Sequence, residues 1–378
     1  MSNNPITKDD VKPFIRLDFL DSLRCFAAVC VVIIHVECIP QPNLLIPEWL
    51  VPFVTDSGVT GVCLFFVLSA FSLSYSLDKR RGEAMLTRRF YIRRFFRIAP
   101  LFYFIMLLYW IRDAVIFNVQ HPVPEVLINA SLLFNLIPEY IIGFVWASWT
   151  IGVLALLYLL FPLIHKYIRN LPTALTLLGV SILMAWGWSF FAENYGEAID
   201  YIPSNRIAFV NDFGFLQNLP VFVCGVITYR LFFDYFVKME IKVRRRYGLL
   251  FIISFVFFYA ALLTEHLQNI HWGKNILHGI CFSLLILGMG LRPFSLLVNA
   301  KTVYMGKISY SLYLFHPLLV LPLIPVYYWF YGVLPGNTLG FSASLLITLG
   351  LLTIISLISY KYIERAGIAL GEKLTNTV

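Results

Sequence analysis

The feature that most constrains this chain is a series of apolar stretches, each close to the length that crosses a lipid bilayer. A spanning helix needs about 20 mostly apolar residues. Ten such stretches lie at 20–38, 58–77, 98–117, 146–164, 174–192, 208–232, 248–264, 275–291, 308–330 and 339–360. The segment 125–138 is too short and interrupted, so we predict that it is interfacial or re-entrant. The sequence predicts an all-α polytopic membrane helical bundle of about ten transmembrane helices.

The amount of charge excludes a soluble fold of this size. Only 13% of the 378 residues are charged and 59% are hydrophobic, whereas a soluble domain usually carries about 25% charged residues. Too few polar groups are available to cover a water-facing surface. We therefore expect an integral membrane protein with the lipid bilayer among its partners. Its expected location is a bacterial-type cytoplasmic membrane.

The basic residues predict the orientation. If ten spans are correct, 25 of the 29 basic residues lie on the side of the two termini. Only Arg112, Arg206 and Lys274 lie on the other side, and Arg24 is within the first span. Short cytoplasmic loops carry the excess of Lys and Arg, so both termini are predicted to be cytoplasmic. The net charge of +8 follows from this clustering, and we expect no nucleic-acid partner.

Two ionisable side chains in the first span form the leading candidate site. An ionisable group in the hydrocarbon is costly and therefore indicates function. Arg24 and His35 are eleven residues apart, which in a helix is about 20° in azimuth and roughly 16 Å along the axis. This separation is comparable to the reach of an extended phosphopantetheine arm. The Arg24 guanidinium can therefore hold a phosphate at one end of the arm while His35 meets the thioester at the other end. The alternative is structural: Arg24 reaches to the interface, and His35 bonds a neighbouring carbonyl.

A run of arginines precedes the third span. Arg88, Arg89, Arg93, Arg94 and Arg97 recur at helical spacing. One interpretation is an anchor that fixes orientation. The other is attraction of an anionic cofactor from the cytoplasm.

A third polar group lies in the ninth span. The stretch YMGKISYSLYLFHPLLV contains Tyr310, Ser311, Tyr313 and His316. Tyr313 is three residues from both Tyr310 and His316, so each pair can share a helix face. Because Pro317 follows, His316 can also serve only to bond a backbone group that the proline leaves free.

Several motifs, in order along nearly the whole chain, resemble those of the acyltransferase family 3 of membrane O-acyltransferases. LDFLDSLRCFAA with His35 resembles the family's opening, in which ten residues separate an Arg and a His. LFFVLSAFSLS (64–74) resembles its FFVLSGF segment, with Ala70 in place of glycine. The later matches are RRFFRIAPLFY, WASWTIGVLALLYLLFPL, GKISYSLYLFHPL and YKYIERAG.

The resemblance implies transfer of an acyl group, usually acetyl from acetyl-CoA or another acyl-CoA, to a hydroxyl of a cell-envelope glycan or lipid-linked acceptor. His35 is then catalytic, Arg24 assists in handling the donor, and Arg94 and Arg97 bind it. Further motif positions are Ser69, Trp149, Tyr158, Tyr310, Tyr313, His316 and Glu364. No metal is expected. The acceptor, the acyl chain and the oligomeric state stay open.

One motif departs from the family pattern. The family's acidic residue in the tryptophan segment falls at Leu154, and Ala155 beside it offers no replacement. A carboxylate there can orient a histidine or bind acceptor hydroxyls. Glu37, Asp212 and Glu265 are the candidate substitutes.

Two other functions compete with acyl transfer. A transporter or flippase has a similar number of spans, although such proteins often show paired broken helices or internal symmetry, which we do not detect. A catalytically silent relative that binds or scaffolds is the second alternative, suggested by Leu154. The expected organisation is a cytoplasmic segment 1–19, an acyltransferase-3-like transmembrane domain 20–364 and a cytoplasmic tail 365–378.

Overall fold

A computed structural model describes residues 17–199, 201–264 and 273–377, and within these ranges the regular structure is entirely helical. Its α-helices are α1 (Asp18–Cys38), α2 (Val51–Lys79), α3 (Leu86–Ile116), α4 (Val123–Ala130), α5 (Trp149–Tyr167), α6 (Leu171–Asn194), α7 (Ile207–Phe213), α8 (Phe215–Arg230), α9 (Ile241–Leu262), α10 (Lys274–Leu291), α11 (Ala300–Lys307), α12 (Ser309–Val333), α13 (Asn337–Ser359) and α14 (Arg365–Asn376).

The described residues contain ten segments that are long and apolar enough to cross a membrane, as predicted. The segment 125–138 is not one of them; it contains most of the short helix α4 and one 3₁₀ turn, Phe134–Leu136, and a second turn begins at Pro138. Two helices begin well before the apolar stretches, α2 at Val51 and α3 at Leu86. Hydropathy marks where lipid contact begins, whereas backbone hydrogen bonding continues into the polar ends. The arginine run therefore lies within α3.

The predicted span over 208–232 lies within one of the ten apolar segments, Ser204–Lys238, but the helix there is interrupted. This segment is divided into α7 and α8 at Gly214, whose backbone is extended (φ −68°, ψ 147°). The break leaves the Phe213 carbonyl without a helical partner, and the Asn135 Nδ2 group donates to it at 3.0 Å. Non-helical backbone at membrane depth is tolerated where such partners are buried in protein. The break also brings Phe213 beside Trp149, with ring centroids 4.7 Å apart.

Helix α2 is at the centre of the bundle and packs against α1, α8 and α10. Two glycines permit the close approach. A Cβ at Gly61 would lie 2.6 Å from the Ala27 carbonyl of α1, and one at Gly225 of α8 would lie 2.3 Å from the Val67 carbonyl. Small residues allow membrane helices to pack with their backbones in contact. By contrast, most side chains of α6 and α9 lie on the outside of the bundle.

We call the end of the bundle where α1 begins the near end and the end where α1 finishes the far end. Residues 365–376 form helix α14, which packs on the near-end part of α3; a Cβ at Gly367 would lie 2.7 Å from Pro100 Cγ. Both described ends of the chain therefore lie at the near end.

Candidate active site

A cavity of about 1040 Å³ opens at the far end of the bundle. Ligand pockets commonly have volumes of about 300–1,000 Å³, so the cavity can hold a substrate as well as water. Its wall combines aromatic rings with amide and charged groups, including His35, Tyr109, Arg112, Trp146, Trp149, Asp212, Gln217, Lys274 and Tyr313. Aromatic faces beside hydrogen-bonding groups suit a ligand that has both apolar and polar surfaces.

His35 lines this cavity from the last turns of α1. Its Nδ1 lies 2.7 Å from the Val31 carbonyl oxygen. A carbonyl can only accept, so Nδ1 carries the proton and Nε2 carries the lone pair of the neutral ring. The structural interpretation of His35, a bond to a neighbouring carbonyl, is therefore realised. It is also compatible with chemistry, because that bond orients the ring and leaves Nε2 as the basic nitrogen.

The ring of His316 packs against the ring of His35 and does not line the cavity. The two ring centroids are 4.6 Å apart and the ring planes meet at 66°. His316 is fully buried, and its Nδ1 donates to the Tyr313 carbonyl. In an unbroken α-helix the backbone N–H of residue 317 would donate to that carbonyl, but Pro317 has none. The predicted capping role of His316 is thus realised.

Tyr313 joins α12 to the start of α5. Its hydroxyl donates to the Ala147 carbonyl at 2.8 Å and accepts from the Thr150 hydroxyl at 2.8 Å. Trp149 begins α5 beside these contacts and lines the cavity. The structure therefore brings together three predicted residues, His35, Trp149 and Tyr313, at one wall, with His316 packed against His35.

Arg24 lies away from this wall, at the near end. Its guanidinium contacts the Asp21 carboxylate at 2.5 Å and donates to the Ser72 hydroxyl at 2.5 Å. It lines a small pocket of about 400 Å³. The far-end cavity reaches down to Val31, so seven residues of α1, roughly 10 Å, separate the cavity floor from Arg24.

Arg94 belongs to a cluster of positive charges at the near end. The guanidinium of Arg94 lies 5.9 Å from the ring centroid of Tyr158. The charges of Arg97, Arg24 and Arg80 are close enough to repel it. Its Nε is buried without a hydrogen-bond partner among the described residues. Clustered like charges with an unfilled donor are suited to a polyanion such as a nucleotide phosphate.

Arg97 is held by a buried carboxylate. Its guanidinium contacts Glu364 at 2.8 Å, and Glu364 also accepts a bond from the Ser311 hydroxyl. The Arg97 guanidinium lies 6.0 Å from the ring centroid of Tyr310, whose hydroxyl donates to the Ile98 carbonyl. The sequence prediction that Arg97 binds donor did not foresee this pairing. The contacts connect α3, α12 and the segment between α13 and α14.

The order and position of these motifs agree with comparisons against known proteins. A family described as Acyltransferase domain matches residues 17–360. The chain belongs to this family. Acyltransferase MdmB of Streptomyces mycarofaciens is 31% identical over 172 residues, which are 42% of this chain and 41% of that protein. The putative acetyltransferase ORF330 of Acidianus two-tailed virus is 27% identical over 338 residues, 85% of this chain and 87% of that protein. No solved structure matches the chain.

Leu154 stands where the resemblance places an acidic residue, and it lies outside both the far-end cavity and the near-end pocket. Its side chain is half-buried in the apolar core. Among the candidate substitutes, Asp212 lines the far-end cavity with His35. Glu37 accepts a bond from Asn43 at 3.1 Å and is not part of that wall, while Glu265 lies outside the described residues. Ser69 is half-buried on α2 and lines neither cavity.

Sequence reasoning missed a buried ionic network behind the far-end cavity. Asp56 of α2 is 1% exposed and contacts His278 at 2.9 Å and Lys274 at 3.1 Å. Thr60 donates to Asp56 at 2.9 Å and also contacts the Tyr259 hydroxyl. The signal was an acidic residue within an apolar helix, but the predicted span began at 58 and excluded it. The network ties α2, α9 and α10 together and holds the Lys274 ammonium at the cavity wall.

A second charged cluster lies beside the cavity and joins the end of α3 to His121 and Glu125, which lie outside the spanning segments. His121 contacts Asp113 at 3.0 Å and Glu125 at 2.9 Å through its two ring nitrogens. Burial lowers the pKa of His121, but the two carboxylates outweigh it, and the net pKa lies above the ordinary value. The ring stacks on Phe144, which lines the cavity, with centroids 4.3 Å apart. Asp113 in turn pairs with the cavity residue Arg112 at 2.6 Å.

Proposed function

We propose that this protein transfers an acyl group, most simply acetyl, from an acyl-CoA to a hydroxyl of a cell-envelope glycan or lipid-linked acceptor. Membership of the acyltransferase family supports the acyl transfer. We place the reaction at His35 because its ring lines a substrate-sized cavity and its lone pair is on Nε2. The acceptor class rests on the mixed aromatic and amide wall of that cavity.

The donor is proposed to bind at the near end. Arg24, Arg80, Arg94 and Arg97 supply positive charge for the phosphates of CoA, and charge-assisted contacts to phosphate are among the stronger hydrogen bonds. The pantetheine arm would then pass along α1 toward His35. Because packed helix separates the two sites over roughly 10 Å, this route requires the helices around Ala28 and Val31 to move apart.

Two chemical routes are compatible with the position of His35. In direct transfer, Nε2 takes the proton of the acceptor hydroxyl while its oxygen attacks the thioester, and the proton then passes to the departing thiolate. In covalent transfer, Nε2 attacks the thioester first, and the acceptor displaces the acyl group in a second step. The products of both routes are the acylated acceptor and free CoA.

The test is transfer of labelled acetyl from acetyl-CoA by purified protein in nanodiscs, with cell-envelope glycans and lipid-linked sugars as acceptors. We expect His35→Ala to abolish transfer while retaining donor binding. His165→Asn, a loss of histidine at the near end of α5, is the control. Transfer that is unchanged by His35→Ala rejects the assigned role. The route is read by adding donor alone: an acetylated His35 peptide in the mass spectrum supports covalent transfer.

A silent relative is the second candidate, favoured by Leu154 in place of the family's carboxylate. It predicts acyl-CoA binding without hydrolysis or transfer. Absence of any acylated product from folded wild-type protein, with every acceptor class supplied, would establish this alternative.

The orientation is also part of the proposal. The excess of basic residues at the near end supports cytoplasmic termini and a far-end cavity that faces the opposite side. A membrane-impermeant maleimide should label a cysteine introduced at Asn43 from outside the cell and should not label one introduced at Thr377. Labelling of both positions from one side would contradict this topology.

A further inference from the structure

His316 does not line the cavity, yet its arrangement exceeds what a helix cap requires. The Nδ1–H bond to the Tyr313 carbonyl compensates for Pro317 and uses one ring nitrogen only. Nε2 then carries the lone pair, and it is buried without a hydrogen-bond partner among the described residues. A buried acceptor that lacks a donor costs free energy, so an orphaned nitrogen in direct contact with the candidate catalytic ring calls for a functional reason.

The neighbouring ring has the same tautomer. Both His35 and His316 donate through Nδ1 to a carbonyl of their own helix. Two neutral rings, 4.6 Å apart between centroids, therefore carry one lone pair each, on Nε2, and neither Nε2 bears a proton. The pair can accept one positive charge, because the electron-rich nitrogen of one ring stabilises a cation on the other. It cannot readily accept two, because like charges at this distance repel.

We infer that His316 is a positioning residue that acts through His35, as the neutral acceptor that stabilises the positive charge formed on the His35 ring during acyl transfer. This inference rests on the proposed function and holds for either route. Direct transfer makes His35 an imidazolium, protonated at Nε2. Covalent transfer makes it an N-acyl imidazolium, because the proton stays on Nδ1, hydrogen-bonded to the Val31 carbonyl, while Nε2 forms the bond to the acyl carbon and the CoA thiolate leaves. In each case the charge disappears when the acyl group or proton leaves.

Two substitutions separate this role from the cap. In His316→Asn, the short amide can still donate to the Tyr313 carbonyl but does not extend to the position of Nε2. In His316→Gln, the amide oxygen can reach the position of Nε2, while the bond from Nδ1 is lost. The inference predicts that Asn lowers kcat by about 10- to 100-fold, as for other groups that act through a functional ligand, with little change in the KM for acyl-CoA. Gln should recover part of the loss. A purely structural cap predicts the reverse order, with Asn active and Gln unstable.

A substitution at Pro317 makes the cap unnecessary, so that the effect of His316 on catalysis can be measured separately. In Pro317→Ala, the new backbone N–H can donate to the Tyr313 carbonyl, so the helix no longer needs His316. We expect Pro317→Ala to stay active and His316→Phe in that background to lose kcat by a similar 10- to 100-fold factor. Equal kcat in the two proteins would overturn the inference and leave His316 as a cap only.

A reagent that needs no natural acceptor supplies the second measurement. Diethyl pyrocarbonate acylates an uncharged imidazole nitrogen and places positive charge on the ring as it reacts. We expect the modification rate of His35, read from its peptide by mass spectrometry, to fall several-fold in His316→Asn. An unchanged rate, in protein that remains folded, rejects the inference. If wild-type protein transfers no acyl group to any acceptor, the proposed function and this inference both fail; if wild type is active and the variants match it, only this inference fails.

Discussion

The ion pair between Arg97 and Glu364 gives the sharpest prediction about stability. The Glu364 carboxylate is wholly buried, whereas the Arg97 side chain is 32% exposed. Removal of one partner from a buried pair costs about 3–5 kcal/mol, because the other charge stays buried without compensation. Ser311 still donates to Glu364 after the change, so we expect Arg97→Met to lower the free energy of unfolding by about 3 kcal/mol, the low end of that range.

The assay is reversible unfolding in mixed micelles titrated with SDS, followed by tryptophan fluorescence. Arg93→Met is the matched control, because Arg93 is one turn earlier on α3 and pairs at 2.9 Å with Glu83, whose carboxylate is 29% exposed and stays hydrated when the arginine is removed. Pairs between exposed groups contribute about 0–1 kcal/mol, so we expect a smaller loss than for Arg97→Met. In the Arg97→Met background, Glu364→Gln should recover at least half of the loss, since it removes the uncompensated charge.

Two results would refute this reasoning. One is a cost of Arg97→Met no larger than that of Arg93→Met, which would mean that the pair contributes little to stability. The other is a double variant no more stable than Arg97→Met alone, which would mean that the cost does not arise from the Glu364 charge. In both cases Arg97 would be free to serve the donor alone, as its motif position first suggested.

Three further predictions concern the far end and α5. Asp56→Asn leaves the Lys274 ammonium without its carboxylate and should destabilise the protein by about 3–5 kcal/mol in the same unfolding assay; a loss equal to that of the exposed control Thr55→Ala would contradict this. Leu154→Glu buries a charge in the apolar core and should cost a few kcal/mol without raising acyl transfer; gained activity would show that the missing carboxylate limits turnover. The raised pKa of His121 means that its charge stabilises the fold fully below the ordinary pKa and that this contribution is lost as pH rises through the folded value. Unfolding measured against pH should show this loss in wild type and not in His121→Gln, and parallel curves would reject it.

The motifs predicted the spacing of site residues along a helix but not the contacts between helices. The helical period correctly placed Arg24 and His35 about three turns apart on one helix, because spacing along a helix is fixed by local geometry. It could not show that packed helix separates them, since the cavity depth depends on side chains from α2, α3 and α12. The proximity of His316 to His35 was likewise invisible, because 280 residues of chain lie between them.

By itself, the sequence determined the membrane class, the ten spans and the family, because hydropathy and motifs can be read along the chain without knowing which residues meet in space. The tertiary structure decided which polar residues meet. It divided the sixth span at Gly214, paired Arg97 with Glu364, and assembled Asp56, Lys274 and His278 from two distant segments. These contacts form because a buried polar group must find a partner wherever the fold supplies one, and no local pattern specifies where that partner lies.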